Sequence, residues 1–160
     1  IEYKGEQYRG SSTILPVAPI DSIYQEFKPE TLFDEEGIRI KIDFSDPAES
    51  GNYYKWQQFQ DGVSLINVNP GTKWTLISPD EFFNGLQVIG KEPNDEMIFE
   101  VGQKALVRQL SISKNEYDYM FLLYDQATGG GPFDAPPATI RGTARRHRNP
   151  ASGAPSSPGR

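Results

Sequence analysis

Residues 37–44 alternate without a break, with Ile38, Ile40, Ile42 and Phe44 on one side and Arg39, Lys41 and Asp43 on the other. Period-two alternation of this kind predicts a strand with one face in the core. Beyond a polar loop at 45–51, residues 52–60 place Tyr54 and Trp56 on one face and Tyr53 and Phe59 on the other. Asp61-Gly62 is a tight-turn signal, so residues 63–68 are expected to run back as a partner strand, closed by Asn69-Pro70-Gly71. Toward the N-terminus, Pro16 and Pro19 restrict residues 1–19 to an edge strand or extended connector. Residues 20–24 add a short strand that Ile23 and Tyr24 could anchor.

The second half reads as shorter pieces. Residues 73–77 suggest a strand, and Ser78-Pro79-Asp80-Glu81 one helical turn with Ser78 as N-cap, ended by Asn84-Gly85. Further strands are expected at 86–89 and 96–99. Residues 104–112 alternate again, and Leu106, Arg108, Leu110 and Ile112 make the better core face than Ala105, Val107 and Gln109. The clear helix signal starts at Ser113, where Ser113-Lys114-Asn115-Glu116 fits a capping box. Tyr117, Met120, Phe121 and Tyr124 then form an apolar stripe to lie on a sheet, and Gly129-Gly130-Gly131-Pro132 stops the helix. The expectation is a mainly β fold, an antiparallel sandwich or curled sheet with one amphipathic helix near residues 113–126.

Composition narrows the chemistry. With Gly 15 and Pro 13 in 160 residues, long helices have little room, while 12% aromatics supply core mass despite a mean hydropathy of -0.59. The chain has no cysteine, and its one histidine, His147, lies near the C-terminus. Disulfides, thiolate metal sites, Ser-His-Asp triads and His-based zinc sites are therefore excluded. No apolar run reaches the ~18 residues of a spanning helix. Five of the 16 basic groups, all arginine, fall in residues 141–160, which hold no acid. The preceding 140 residues thus carry 11 basic against 22 acidic groups, a net of -11. A body so acidic repels nucleic acid and anionic headgroups.

Three groups of residues offer chemistry. Asp43, Asp46 and Glu49 could supply paired carboxylates, and with Asn52 they could supply oxygen ligands to a hard cation. Their spacing matches no EF-hand loop, and turn-forming is the ordinary role of such residues, so no catalytic residue, metal or cofactor is expected. Tyr53, Tyr54, Trp56, Phe59 and Trp74 could form a stacking platform for a ligand, although at least half of a strand's aromatics should face the core. Gly129-Gly130-Gly131 lacks the Lys of a phosphate loop.

The order of several segments resembles a known family. These are residues 8–16, Ile20-Asp21-Ser22-Ile23-Tyr24, Phe44-Ser45-Asp46-Pro47, Gly51-Asn52-Tyr53-Tyr54 and Ser78-Pro79-Asp80-Glu81-Phe82-Phe83-Asn84-Gly85. Later come Phe99-Glu100-Val101-Gly102-Gln103, Leu110-Ser111-Ile112-Ser113 with Tyr117-Asp118-Tyr119, and Pro132-Phe133-Asp134-Ala135-Pro136-Pro137. Together they resemble the Bacteroidota outer-membrane lipoproteins catalogued as domain of unknown function 4249, over residues 1 to about 142. The resemblance implies the C-terminal portion of a longer protein, lipid-anchored at the cell surface through a cysteine outside this chain. It also implies a non-enzymatic accessory to a TonB-dependent outer-membrane receptor, taking part in capture of a small nutrient. The alternative is a structural or adhesive surface module without a transported ligand. Residues 143–160 depart from the family pattern. They read as a disordered basic tail, with an out-of-frame 3′ end of the gene as the expected origin and a genuine anion-binding tail as the alternative.

Overall fold

The computed structural model describes residues 2–11, 13–32, 35–49, 51–64, 76–128 and the strand at 145–146. The chain divides into two compact units, Ile1–Ile14 with Gly142–Arg160, and Leu15–Arg141. In the first unit β1 (Glu2–Tyr3) and β2 (Glu6–Arg9) form a hairpin. Its two-residue turn places Lys4 and Gly5 at φ 51 and 75, the left-handed pair that matches strand twist. The segment Arg145–Arg146 pairs antiparallel with the other edge of β2.

The second unit is a sandwich with a helix laid on one outer face. One sheet has the order β3 (Ile20–Lys28), β4 (Gly37–Ser45), β8 (Gln87–Lys91). The other is centred on β5 (Tyr53–Gln60), which pairs along its length with β9 (Ala105–Ser111). On its other edge β5 pairs with β7 (Ile77–Pro79) near its start and β6 (Val63–Ser64) near its end. The strands are antiparallel and no sheet closes into a barrel.

The alternation of β4 does what its pattern requires. Ile42 and Phe44 are fully buried and meet Tyr54 and Trp56 from β5, with Ala18, Ile20, Phe83, Val88 and Val107 around them. Ile40 with Met97 and Phe99 extends this core toward the start of β4. At this stretch the expected strand at 96–99 reduces to a single bridge. Ile38 and Phe99 exchange backbone hydrogen bonds of 3.2 and 2.9 Å, and the chain then turns away. A second core lies on the far face of β5, where the helix α1 (Lys114–Thr128) packs Met120 and Tyr124 on Leu76, Ile77 and Ile112. Ser113 caps it as expected, accepting from the Glu116 amide at 3.2 Å. The glycine stop at 129–131 lies outside the described residues.

Three further expectations change. Strand β3 runs to Lys28 instead of ending at residue 24, and its Ile23, Tyr24 and Phe27 remain exposed. Ser78 and Pro79 do not start a helical turn. They end strand β7 opposite Tyr54 and Tyr53, and the Ser78 hydroxyl donates to the Pro79 carbonyl at 2.9 Å. Proline is tolerated at such a strand end because its missing N–H breaks no ladder. The core face of β9 is the opposite of the one expected: Val107 and Gln109 point between the sheets, while Leu106 and Leu110 are partly exposed. Gln109 belongs inside because both ends of its amide are bonded. It accepts from Trp56 Nε1 at 2.8 Å and donates to the Ala18 carbonyl at 2.8 Å. Ile112, also expected in the core, is buried against the helix.

Candidate functional site

The polar loop after β4, the entry to β5 and the turn after β7 meet at one end of the sandwich. Two buried carboxylates hold them together. Asp46 accepts from the Tyr54 hydroxyl and from the Gly85 amide at 2.9 Å. Asp80 accepts from the Gly51 and Asn52 amides, each at 3.0 Å, while its own amide donates to the Asn52 carbonyl at 3.0 Å. The turn at 80–86 closes on Phe83 N to Asp80 O at 2.8 Å and Leu86 N to Phe83 O at 2.9 Å. Gly85 is required here. Its φ is +71, and a Cβ would press on Ala48 at 3.3 Å. Desolvation and the Asp46 carboxylate push the Tyr54 phenol well above its ordinary range, so it stays a donor.

Oxygens used this way are backbone fasteners. Asp43, further back on β4, is similarly occupied. It accepts from the Gly90 amide at 2.8 Å, Ser22 at 2.7 Å and Tyr24 at 3.2 Å, and these bonds hold its carboxyl below the usual range. Glu49 offers its backbone carbonyl to Asn52 Nδ2 at 2.6 Å. No group of three or more His, Cys, Asp or Glu among the described residues could hold a metal ion.

The aromatic set is divided by the strand that carries it. Tyr54 and Trp56 are each only 1% exposed and stack on one another with centroids 5.7 Å apart. Tyr53, on the other face, packs against Tyr117 of the helix at 5.1 Å. Phe59 is half-buried beneath the Arg108 guanidinium, 5.0 Å from its ring centroid. Trp74 lies outside the described residues. The strand therefore brings Tyr54 and Trp56 together inside the sandwich and Tyr53 and Phe59 to its outer face, so these four share no single surface.

Sequence reading missed a lysine beside this stack. The β4–β8 register puts Lys91 opposite Ile42, and its ammonium lies 4.7 Å from the Trp56 ring centroid. Desolvation pushes its pKa down to about 8, with smaller opposing effects from Asp95 and Glu92. Two further polar groups are buried without full satisfaction. Gln58 has neither end of its amide bonded, and Arg39 donates only from Nη2, to the Glu35 carbonyl at 3.1 Å. A hollow of about 410 Å³ opens where β4 begins, floored by Ile38, Ile40 and Phe99 and edged by Gln25 and Gln103. The Gln103 side-chain oxygen, Oε1, already accepts from Gln60 Nε2 and from the Glu100 amide.

A family model described as a domain of unknown function, DUF4249, matches residues 1–154. The chain belongs to the DUF4249 family. No curated protein and no solved structure gives a match. Three of the segments by which the sequence resembles DUF4249 are the ones that meet in the carboxylate-fastened end. Phe44-Ser45-Asp46-Pro47 supplies Asp46, Gly51-Asn52-Tyr53-Tyr54 supplies two amides and the phenol, and residues 78–85 supply Asp80 and the Gly85 amide. In this DUF4249 chain those marker residues connect separate loops. The signal for this was weak in the sequence, because Asp46 and Asp80 lie 34 positions apart and each fits an ordinary local turn.

Proposed function

We propose that this domain is a non-catalytic module of a lipid-anchored surface protein, an accessory to a TonB-dependent outer-membrane receptor, and that it works by docking to protein. The surface and receptor context follows the resemblance to DUF4249, and the observation that favours protein docking over stacking on a nutrient is the burial of Tyr54 and Trp56. The side chains best suited to stack on a nutrient instead join the two sheets. The carboxylates Asp43, Asp46 and Asp80 accept from backbone amides. The same burial also serves a structural surface module with no transported ligand, and one experiment separates the two. The full-length lipidated protein is recovered from its own cells in gentle detergent and its partners are identified by mass spectrometry. Stoichiometric recovery of a TonB-dependent barrel is the expected result. Recovery of the lipoprotein alone, under conditions that keep a known receptor complex intact, would replace the accessory reading with an independent surface module.

A further inference from the structure

Phe82 and Phe83 are adjacent but have opposite fates. Phe83 anchors the turn in the core, edge-on to Phe44 at 5.9 Å and 5.9 Å from Tyr54. Phe82, one residue earlier, is 84% exposed, and Leu86 on the same turn is also exposed. Burying a phenylalanine ring is worth about 1.5–3 kcal/mol, so folding gains little from a ring left in water. This turn is not a slack loop. Asp46 holds it at Gly85, Asp80 ties it to the entry of β5, and Phe83 plugs it. Fixing the backbone that carries a side chain removes part of the ordering cost of binding.

The turn packs against the loop at Ala48, and the exposed acids of the two are Glu81 and Glu49, whereas Asp46 and Asp80 are buried in their bonds to backbone amides. Lys114 feels the charge of Glu81, but its ammonium is paired with Asp118 at 2.7 Å. An exposed aromatic with an acidic rim calls for an apolar pocket edged by cations. We propose that the turn carrying Phe82 and Leu86 is the docking surface of this domain, and that its occupant is a protein pocket rimmed by Lys or Arg. This rests on the docking function proposed above and assigns it a surface.

The test places a photoreactive phenylalanine analogue at position 82 of the full-length lipidated protein in its own cells. A matched probe goes at Val101, 93% exposed beyond the opposite end of β4. The expected result is one protein captured from position 82 and not from 101, through a peptide containing Lys or Arg. Capture should fall about tenfold with Glu49→Gln and Glu81→Gln combined, and also fall with added salt. Phe82→Ala should reduce co-purification of that protein at least tenfold while leaving the thermal midpoint unchanged. Capture of the same mixture from both positions, of a second copy of this chain, or of lipid alone would overturn the inference. If a TonB-dependent barrel co-purifies equally with wild type and Phe82→Ala, the accessory function stands and this surface is wrong. If position 82 captures a different protein with the expected contacts, the surface stands and the receptor assignment fails.

Discussion

Asp46, itself buried, accepts from the buried Tyr54 phenol and from the Gly85 amide. Hydrogen bonds to a charged group contribute about 1.5–3 kcal/mol each, and an abandoned buried donor adds its own desolvation cost. Asp46→Ala is therefore expected to destabilise the fold by about 2–4 kcal/mol in urea unfolding. A loss below ~1 kcal/mol would mean that water replaces the carboxylate. Lys91 should behave oppositely. Below about pH 8 its ammonium is charged in both states, so the penalty for desolvating it is constant. Between about 8 and the ordinary 10.5 the folded protein has released a proton that the unfolded chain keeps, and stability rises with pH. Above about 10 the buried phenols reverse the trend. Tyr54, Tyr117 and Tyr124 have raised pKa values, so unfolded tyrosine ionises first and favours unfolding. Urea unfolding from pH 7 to 9.5 should show the rise in wild type and a flat profile in Lys91→Met. At pH 7 that variant should be more stable by about 1–3 kcal/mol, less than the full shift implies because part of the side chain still meets water. Neither residue's role was legible in the sequence. Asp46 bonds to positions eight and 39 residues away, and Lys91 turns inward only after a register shift between β4 and β8.

Strands and helix were more legible than single side chains, because their signals are local. The β4 alternation and the Ser113 cap each predict their element from a few neighbours, and both elements form where the pattern puts them. Ser113→Ala should cost about 1 kcal/mol, read from the thermal midpoint, because the Glu116 amide loses its acceptor. Burial faces were harder. β9 carries leucines at 106 and 110, yet a bonded glutamine takes the inner face, a choice made by Trp56 and Ala18 on other segments. The start of β4 shows the same dependence on distant residues. Gly37 has φ +155, and a Cβ there would collide with Ile98. Gly37→Ala is expected to destabilise the protein by about 1–3 kcal/mol, through overpacking against Ile98 and a backbone angle that favours glycine. An unchanged urea midpoint would show that Ile98 moves aside freely.

At the scale of the whole chain, composition excludes more than it assigns. A single histidine and no cysteine leave little familiar catalytic chemistry, and the net of -11 over residues 1–140 sets the sign of the surface. What composition could not show is where the aromatics go. Tyr54 and Trp56 join the two sheets, while Phe82, in a turn read from sequence as helical, is presented to solvent. The fold thus presents an apolar tip on a turn that two buried carboxylates, Asp46 and Asp80, tie to the neighbouring loops. Amide hydrogen exchange of the intact protein tests this claim directly. The Gly51, Asn52 and Gly85 amides, bonded to Asp80 and Asp46, are expected to exchange as slowly as the amides of β4 and β5. Exchange at the rate of free loop amides would contradict it, because the turn carrying Phe82 would then not be held ready for a partner.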